Sequence, residues 1–255
     1  LLGETKLSPQ KLRIIDPHDQ LLSCWRSRTS ATGMKYLRSP SVHHVGLSPW
    51  ELLKFAGKKR NRKPKLFTPP YDRPSLKLFN DHCDQVIEKF SLSTLHIQSH
   101  AVHCKPQEND FVVKLSNNEE IVTKHIILAI GANQSVKWPD WAPKEQSKIQ
   151  HIFDPTLDQW MTESTTVAII GGGISACQLA LRLSTNNARI HLISRHRLRE
   201  HQFDSDPGWL GPKYMGAFKR ERDMDRRRAL ITEARHSGSV PPDVKRALNR
   251  ALKAN

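Results

Sequence analysis

Residues 167–176 read V-A-I-I-G-G-G-I-S-A, and this run indicates the architecture of the second half of the chain. An apolar run with strand character breaks into three glycines and then into a helical pattern. Such a turn can bring bare backbone N–H groups and a helix N-terminus against a pyrophosphate. Gly171 permits the tight turn, Gly173 allows close approach of the backbone, and Ala176 still allows close helix packing. The run predicts a dinucleotide site, with a purely structural strand-to-helix turn as the alternative.

The residues around the glycines supply the context that a lone glycine motif lacks. The following helix carries Leu179, Leu181 and Leu183, and Asn186-Asn187 end it before a second strand at residues 189–193. A strand, glycine turn, helix and strand within about thirty residues are typical of a nucleotide-binding unit. Its candidate cofactor-binding residues are Gly171, Gly172, Gly173, Ile174, Ser175 and Ala176.

The end of the second strand indicates which dinucleotide binds. An NAD site usually places an acid here to bind the ribose hydroxyls, whereas this chain has Ser194 followed by Arg195, His196 and Arg197. Without a carboxylate a 2′-phosphate meets no repulsion, and a guanidinium can pair with it through two hydrogen bonds. Ser194, Arg195 and Arg197 therefore predict NADP(H) in preference to NAD(H). Alternatively, these cations belong to the general basic excess.

Another strand that ends in an acid lies near the start of the chain. Residues 11–16, K-L-R-I-I-D, end at Asp16, which either binds the ribose of a second dinucleotide or simply begins a turn. A preceding strand, glycine loop and helix would need about 25 to 30 residues. Only ten residues precede Lys11, and the first of them is Leu1 rather than a methionine. We therefore expect the chain to be part of a longer protein.

Hydrophobic periodicity and turn signals predict the other elements. Residues 23–46 have weak periodicity and predict a packed irregular loop. A short helix is expected with Ser48 as N-cap and Pro49 at its first position, ending near Ala56. Further expected elements are a helix after residue 75 with one apolar face (Leu76, Phe79, Cys83, Val86, Ile87, Phe90), a small antiparallel sheet between Thr94 and Val122, and a buried strand at residues 126–132.

Charge and hydropathy limit the classes of function. Forty Lys and Arg against 25 Asp and Glu give a formal charge of +15, which suits an anionic ligand or nucleic acid. The basic clusters at Lys58–Lys65 and in a C-terminal helix at Lys219–Arg228 lack interleaved aromatic residues, so solvated charge is favoured over nucleic-acid binding. The mean hydropathy is −0.57, and no apolar run is long enough to span a membrane.

The cysteines and histidines predict neither a metal site nor a redox motif. Cys24, Cys83, Cys104 and Cys177 are scattered without a C-x-x-C or C-x-x-x-x-C pair, so we expect free thiols in a reducing cytoplasm and no disulfide reduction. No Ser-His-Asp order or nucleophile elbow supports hydrolysis. With a nicotinamide site and no evident acid–base set, the difficult chemistry would fall to a second cofactor, and a flavin fits that role.

Four features, in order, resemble the flavin-dependent N-hydroxylating monooxygenases of the lysine and ornithine hydroxylase type. They are K-L-R-I-I-D at residues 11–16, G-M-K-Y-L-R-S-P-S-V-H-H at 33–44, R-P-S-L-K-L-F-N-D-H-C-D-Q-V-I at 73–87, and I-I-L-A-I-G-A at 126–132 ahead of G-G-G-I-S-A at 171–176. The resemblance implies an α/β, Rossmann-like two-dinucleotide-binding flavoprotein. Its incomplete FAD-binding domain would span residues 1–145, with an inserted NADP-binding domain and a C-terminal helical segment at 146–255.

The resemblance also implies a reaction and a set of site residues. In that family NADPH reduces FAD, which then uses O₂ to oxygenate a small nucleophilic substrate. By the resemblance, Asp16 would bind the FAD ribose, residues 34–38 would line the flavin, Val102 would contact adenine through its backbone, and Gly131 would close the FAD site. The implied FAD-binding residues are Asp16, Trp25, Met34, Leu37, Arg38, Val102 and Gly131. The chain departs from the family pattern in lacking the first FAD glycine loop and a recognisable return to the FAD domain after Gly211.

Two alternatives from other classes stay open at this point. One is an NADP(H)-binding regulatory protein without flavin chemistry, which would bind NADPH and show no oxidase activity. The other is a protein that binds nucleic acid or an acidic partner through Lys58–Lys65, whose affinity would depend steeply on salt.

Overall fold

A computed structural model describes residues 2–5, 7–57, 65–130, 136–143, 146, 148–162, 166–185 and 188–254. The chain divides into two compact units, each assembled from separate stretches of sequence. Unit 1 comprises Leu1–Arg28, Val42–Arg62 and Lys77–Asp154, and unit 2 comprises Thr29–Ser41, Lys63–Leu76 and Pro155–Asn255.

Short strands and helices alternate along the chain. The helices are α1 (Ser23–Thr32), α2 (Glu51–Ala56), α3 (Leu76–Lys89), α4 (Leu157–Thr162), α5 (Ile174–Leu183), α6 (Pro212–Arg220), α7 (Met224–Ala234) and α8 (Pro242–Ala254). The strands are β1 (Ile14–Asp16), β2 (Phe67–Thr68), β3 (Arg73–Pro74), β4 (His96–Gln98), β5 (Ala101–Gln107), β6 (Asp110–Leu115), β7 (Glu120–Thr123), β8 (Thr166–Ile170), β9 (Arg189–Ile193), β10 (Arg199–Glu200) and β11 (Ser239–Val240).

Two sheets lie in unit 1. β1 pairs with β4 in parallel, with Asp16 opposite Gln98. β5, β6 and β7 form an antiparallel sheet, which confirms the predicted sheet from residue 101 onward. The prediction is wrong for residues 94–98, because β4 pairs in parallel with β1. Asn118 adopts a φ of 68° in the turn between β6 and β7, a conformation that asparagine tolerates better than most residues.

Part of the expected irregular loop is a helix, so the loop prediction is wrong for the ten residues of α1. Tertiary contacts hold this helix: the Trp25 indole N–H donates to Asn80 Oδ1 at 3.0 Å, its ring lies 5.4 Å from the Phe79 ring, and Arg26 forms an ion pair with Asp84. The sequence of α1 has no clear apolar face, so periodicity alone could not find it.

The short helix α2 lies where the sequence predicts a helix, but it begins later. It starts at Glu51, after Trp50, rather than at the preceding proline. The Glu51 carboxylate reaches back across the start of the helix: it accepts from the Leu47 N–H at 2.8 Å, and, against the effect of burial, which raises its pKa, hydrogen bonds from the backbone of Leu47 and Ser48 lower its pKa. Gly57 ends the helix, as predicted, with a φ of 50°.

The predicted buried strand at residues 126–132 is wrong for its described part. Residues 124–130 form no strand, and Ile127, Leu128 and Ile130 are 71%, 77% and 77% exposed. An apolar segment becomes a buried strand only when another backbone pairs with it and side chains cover its faces. No strand among the described residues pairs with residues 124–130. Gly131 and Ala132 lie outside the described residues.

The helix α3 forms where the sequence predicts it, and Cys83 and Val86 of the predicted apolar face are buried, together with Leu78, which that face did not include. Burial raises the pKa of the Cys83 thiol to about 11, which keeps it protonated and unreactive at neutral pH. The four cysteines are free thiols, as expected.

His82 is a buried polar side chain on the same helix. It is 0% exposed, and neither ring nitrogen has a hydrogen-bond partner among the described residues. Its ring contacts those of His44 and Phe55 at centroid distances of 5.1 and 5.4 Å. Burial lowers the pKa of His82, His44 and Lys89 lower it further, and Glu51 opposes them. The ring is therefore held neutral in the folded protein.

Unit 2 is built on a strand–helix–strand motif. β8 and β9 are parallel partners, and α5 packs on them with Val167, Ile169, Leu179 and Leu183 buried. This arrangement confirms the predicted elements around the glycines, with the second strand at Arg189–Ile193.

The buried guanidinium of Arg73 joins several stretches of unit 2. Arg73 is 1% exposed, and its Nη2 lies 3.0 Å from Asp243 Oδ2 at the start of α8. The same nitrogen donates to the Pro69 carbonyl at 3.2 Å, and Nη1 donates to the Leu37 carbonyl at 3.5 Å. These bonds tie α8 to stretches more than 150 residues earlier in the chain.

The C-terminal part of unit 2 is helical. The prediction of a single helix across Lys219–Arg228 is wrong, because two helices share these residues. α6 ends at Arg220, and the Asp223 side chain caps α7 by accepting from two backbone N–H groups of its first turn. The predicted helix at the end of the chain is confirmed as α8. Within the described ranges, no helix is long and apolar enough to cross a membrane. Of the basic cluster Lys58–Lys65, only Lys65 is described.

Replacing His82 by phenylalanine should stabilise unit 1. His82→Phe removes two unsatisfied nitrogens while keeping an aromatic ring against Phe55, so we expect the free energy of unfolding at pH 7 to rise by about 1–2 kcal/mol. Because the folded state disfavours protonation of His82 and the unfolded chain does not, native stability falls as the pH drops below about 6.5. Urea unfolding at pH 7 and pH 5 should show a smaller fall for the variant.

The control for this experiment is His103→Phe, an exposed position on β5. It should change the free energy of unfolding by less than about 0.5 kcal/mol and leave the pH dependence as it is. A His82→Phe protein that loses stability at pH 7 would contradict the prediction.

Removing the partner of Arg73 should destabilise unit 2. Asp243→Ala leaves a buried, uncompensated charge, so we expect a loss of about 3 kcal/mol or more in chemical unfolding. Arg73→Met in the Asp243→Ala background should recover part of that loss, because no buried charge remains. Asp225→Ala, which breaks the exposed pair with Arg228, should cost less than about 1 kcal/mol. Equal losses for Asp243→Ala and Asp225→Ala would refute the assignment.

Candidate functional site

The glycine turn after β8 has the geometry that the sequence predicts. Gly171 adopts a φ of 147°, which L-residues rarely take, and its N–H donates to the Ile193 carbonyl at 2.8 Å. A Cβ at this position would lie 3.3 Å from the Cβ of Ala176. At Gly172 an added Cβ would lie 3.0 Å from the Cβ of Ser194. The turn therefore depends on missing side chains at both positions.

The N-terminus of α5 follows the turn directly. Gly173 is the N-cap, and no side chain caps the first turn that begins with Ile174 and Ser175. An uncapped helix N-terminus presents backbone N–H groups and a partial positive charge, which together favour a phosphate. On its other side, a Cβ at Gly173 would lie 3.8 Å from the Cα of Gly238.

Arg195 and Arg197 follow β9, the strand that pairs with β8, and the chain leaves the sheet there at the same edge as the glycine turn. Ile170 is the register partner of Ile193, so Gly171 and Ser194 are the first residues beyond the two paired strands. The Ser194 hydroxyl donates to the His196 carbonyl at 2.7 Å, which folds the chain after β9 into a tight turn. Arg195 and Arg197 are exposed.

Within the described ranges, no ion pair involves Arg195 or Arg197, and the same holds for other exposed arginines of unit 2, among them Arg189 and Arg199. A guanidinium without a carboxylate partner, beside an uncapped helix N-terminus, is suited to a phosphate group. The structure thus brings Gly171–Ala176 together with Ser194–Arg197 at one edge of one motif. Binding of NADP(H) by these residues stays a prediction.

Among the predicted FAD-binding residues, Asp16 ends β1 as expected. Its Oδ1 accepts from the His18 N–H at 2.9 Å and lies 2.7 Å from His18 Nδ1, so Asp16 begins a turn. Burial raises the pKa of Asp16, but the hydrogen bonds from His18 and the charges of His18 and His96 outweigh it and leave the pKa below its usual value. Asp16 is a carboxylate at the carboxyl end of a parallel strand, which is where α/β sheets bind ligands.

The other predicted FAD-binding residues fall into both units. In unit 1, Trp25 packs on α3 as described, and Val102 is 58% exposed at a register shift in β5. In unit 2, Leu37 is buried and Met34 half-buried. Gly131 lies outside the described residues. FAD binding by these residues stays a prediction.

Arg38 uses its donors within unit 2. Its Nε donates to the Gln202 carbonyl at 3.0 Å, and Nη2 donates to the His201 carbonyl and to Ser239 Oγ, each at 2.8 Å. Nη1 lies 3.4 Å from the Ser239 carbonyl oxygen. The sequence gives no sign of this role, because the partners lie more than 160 residues away.

Gly238 and Ser239 are residues that the sequence prediction missed. Gly238 lies in the turn before β11 with a φ of 70°, and Ser239 is the first residue of β11. The H-S-G-S run at residues 236–239 carries a local turn signal, but nothing local indicates that this turn approaches Gly173. No group of three or more metal-ligating side chains occurs in the described parts of either unit.

The sequence profile of the family described as pyridine nucleotide-disulphide oxidoreductase matches residues 44–245. Among curated relatives, the ferredoxin–NADP reductase of Pelagibacter ubique is 30% identical over 135 residues, which are 50% of this chain and 39% of the relative. The ferredoxin–NADP reductase of Neorickettsia sennetsu is 32% identical over 155 residues, which are 56% of this chain and 44% of the relative. The chain thus spans less than half the length of these relatives.

Solved structures share the fold at low sequence identity. The FAD-bound cadaverine monooxygenase of Erwinia amylovora has a TM-score of 0.68 at 13% identity, covering 95% of this chain and 59% of that one. The reduced ornithine hydroxylase of Pseudomonas aeruginosa has a TM-score of 0.61 at 16% identity, covering 95% and 61%. The predicted α/β, Rossmann-like fold of a flavin monooxygenase is therefore confirmed.

A side chain at the glycine turn should impair both folding and ligand binding. Gly171→Ala forces a strained φ and brings a Cβ against Ala176, so we expect a loss of about 1–3 kcal/mol in unfolding free energy and weaker NADP⁺ binding in calorimetric titration. The matched control is Gly216→Ala, inside α6, where the added methyl group meets only the end of Arg220. It should stabilise the protein by about 0.5–1 kcal/mol and leave NADP⁺ affinity unchanged.

Proposed function

We propose that this protein, which belongs to the pyridine nucleotide-disulphide oxidoreductase family, is an oxidoreductase that takes its reducing equivalents from NADPH. The observation that carries the proposal is the edge of the β8–α5–β9 motif, where the glycine turn, the uncapped N-terminus of α5 and two exposed arginines lie side by side. Gly171–Ala176 would hold the pyrophosphate, and Arg195 with Arg197 would bind the 2′-phosphate. We place this site in an NADP-binding domain at residues 146–255.

We propose that the cysteines of this chain do not carry the disulfide chemistry in the family's description. They include no C-x-x-C or C-x-x-x-x-C pair, and Cys83 and Cys177 are buried thiols whose pKa is raised to about 11 by burial. We therefore propose that the electrons pass to a flavin.

FAD is the second cofactor of the proposal, and residues 1–145 would contribute to its binding. When bound, FAD would supply hydride acceptance from NADPH and activation of O₂. Asp16 fits a ribose, because it is a carboxylate at the carboxyl end of a parallel strand. The backbone at Val102 would contact the adenine, and Met34 and Leu37 would line the isoalloxazine.

A monooxygenase reaction is the function that fold similarity supports best. Two solved structures with TM-scores above 0.6 are a cadaverine monooxygenase and an ornithine hydroxylase, whose named substrates are amines. We propose that this protein, too, oxygenates a small nucleophilic molecule, and that it acts in the cytoplasm. The comparisons do not support the alternative of an NADP(H)-binding regulatory protein without flavin chemistry.

A second candidate is electron transfer from NADPH to a redox protein. The ferredoxin–NADP reductases that match at 30–32% identity favour it. The two candidates share the NADPH step and differ in the final electron acceptor, so product analysis distinguishes them. Oxygenated amine formed in proportion to NADPH consumed supports the monooxygenase, and NADPH-dependent reduction of ferredoxin supports the alternative.

The purified protein supplied with FAD should oxidise NADPH faster than NADH. The two guanidinium groups at the end of β9 can pair with a phosphate that NADH lacks, and charge-assisted bonds of this kind are worth about 1.5–3 kcal/mol each. We therefore expect a preference for NADPH of about tenfold or more. Following absorbance at 340 nm measures both rates, and the flavin spectrum shows whether FAD is bound and reduced.

Variants at the two ends of β9 provide the control. Arg195→Ala should weaken NADP⁺ binding by about tenfold and leave NAD⁺ binding nearly unchanged. Arg189→Ala removes an exposed arginine from the other end of the same strand and should change neither affinity by more than about twofold. Equal losses for NADP⁺ and NAD⁺ in Arg195→Ala would show that this residue does not recognise the 2′-phosphate. A protein that binds no dinucleotide would refute the proposed function.

A further inference from the structure

Arg38 makes four hydrogen bonds from one half-buried guanidinium. The acceptors are the carbonyls of His201, Gln202 and Ser239 and the hydroxyl of Ser239, at 2.8–3.4 Å. Burial lowers the pKa of Arg38, Asp204 opposes that effect and Arg73 adds to it, but an arginine stays charged at neutral pH. Because these four bonds engage the guanidinium within unit 2, Arg38 is suited to holding two stretches of the chain together rather than to binding a cofactor.

The 34–38 segment, Met34–Arg38, is held on its other side by backbone bonds. The Leu37 N–H donates to the Pro74 carbonyl at 2.9 Å, the Lys35 carbonyl accepts from the Leu76 N–H at 2.9 Å, and Tyr36 forms an antiparallel bridge with Ser75. Arg38 is thus the end of a short, well-held strand-like segment. Its guanidinium joins this segment to the chain beside β10 and β11.

One residue separates the partner of Arg38 from the glycine turn. Ser239 directly follows Gly238, whose Cα lies 3.8 Å from the place that a Cβ at Gly173 would take. Because both residues are glycines, no side chain lies between the two backbones, and only the space of a missing Cβ separates them. A displacement of the N-terminus of α5 toward Gly238 would close this space, and Ser239, the next residue in the chain, connects Gly238 to Arg38.

We propose that Arg38 is a positioning residue that couples the glycine turn to the 34–38 segment through Ser239. The inference rests on the proposed function, in which dinucleotide binds at the glycine turn and the 34–38 segment lines the flavin. Arg38 would then adjust the flavin-lining segment when NADP(H) binds and would not itself touch either cofactor. The coupling uses residues of unit 2 alone.

Hydrogen–deuterium exchange with and without NADP⁺ tests the coupling without any turnover. In the wild-type protein, saturating NADP⁺ should slow amide exchange at residues 171–176 and also, by about fivefold or more, in the 34–38 segment. In Arg38→Lys the protection at 171–176 should remain and the protection of the 34–38 segment should fall to less than about half, because an ammonium cannot make the forked set of bonds. Ser239→Ala, which removes one acceptor and keeps the carbonyl, should give a smaller loss.

The matched control is Arg13→Lys. Arg13 is exposed in unit 1 and donates only to the nearby carbonyls of Gln10 and Leu12, so this variant should retain the full protection of the 34–38 segment. The double variant Arg38→Lys/Ser239→Ala should lose no more protection than Arg38→Lys alone, because both changes break the same connection. If Arg38→Lys fails to fold, Ser239→Ala supplies the test.

The outcomes separate the coupling from the proposed function. NADP⁺ that fails to slow exchange at residues 171–176 of the wild-type protein would refute the proposed dinucleotide site. Protection at 171–176 without protection of the 34–38 segment would overturn the coupling alone. Arg38→Lys could instead speed exchange in the 34–38 segment by the same factor with and without NADP⁺, leaving the protection by NADP⁺ unchanged. That result would make Arg38 a structural residue and would also overturn the coupling.

Discussion

The parallel register of β8 and β9 is the constraint on which the candidate site depends. Because Ile170 pairs with Ile193, both strands end at the same level, and the Gly171 N–H closes the edge by donating to the Ile193 carbonyl at 2.8 Å. The glycine turn at Gly171–Gly173 and the turn at Ser194–Arg197 then leave the sheet side by side, and the N-terminus of α5 directly follows the glycine turn. A shift of the register by one residue would turn the side chains of one strand to the opposite face of the sheet and move the two turns apart.

Guanidinium groups hold the distant stretches of unit 2 together. Arg73 connects to α8, Arg38 reaches the chain beside β10 and β11, and Arg182 of α5 donates to the Ala31 carbonyl at 2.9 Å at the C-terminal end of α1. Arginine suits this role because its planar fork offers five donors and holds its charge when partly buried. Part of the basic excess therefore serves the fold. Arg195 and Arg197 form no such bonds within the described ranges, and their side chains are exposed.

Local patterns were sufficient where the physical cause is local. The spacing of apolar residues predicts α3, the alternation with polar turns predicts the sheet of β5 to β7, and the glycine run between two apolar strands predicts the β8–α5–β9 motif. Periodicity succeeded in these places because each element buries one face of its own. It failed for α1, whose helix depends on contacts of Trp25 and Arg26 with α3. It failed again at residues 126–130, where strand-forming residues have no described partner.

The sequence by itself determined the local architecture of the candidate site, because the conformational requirements of the turn and the helix start lie in the residue types of Gly171 to Ala176. It could not determine what surrounds that site. Gly238 approaches Gly173, and Ser239 accepts from Arg38, only because the chain returns after more than sixty residues to the same place. Likewise, His82 lies on the predicted helix, but its unsatisfied burial follows from packing against Phe55 and His44. Contacts between residues far apart in sequence leave no local pattern, so the tertiary structure alone decides them.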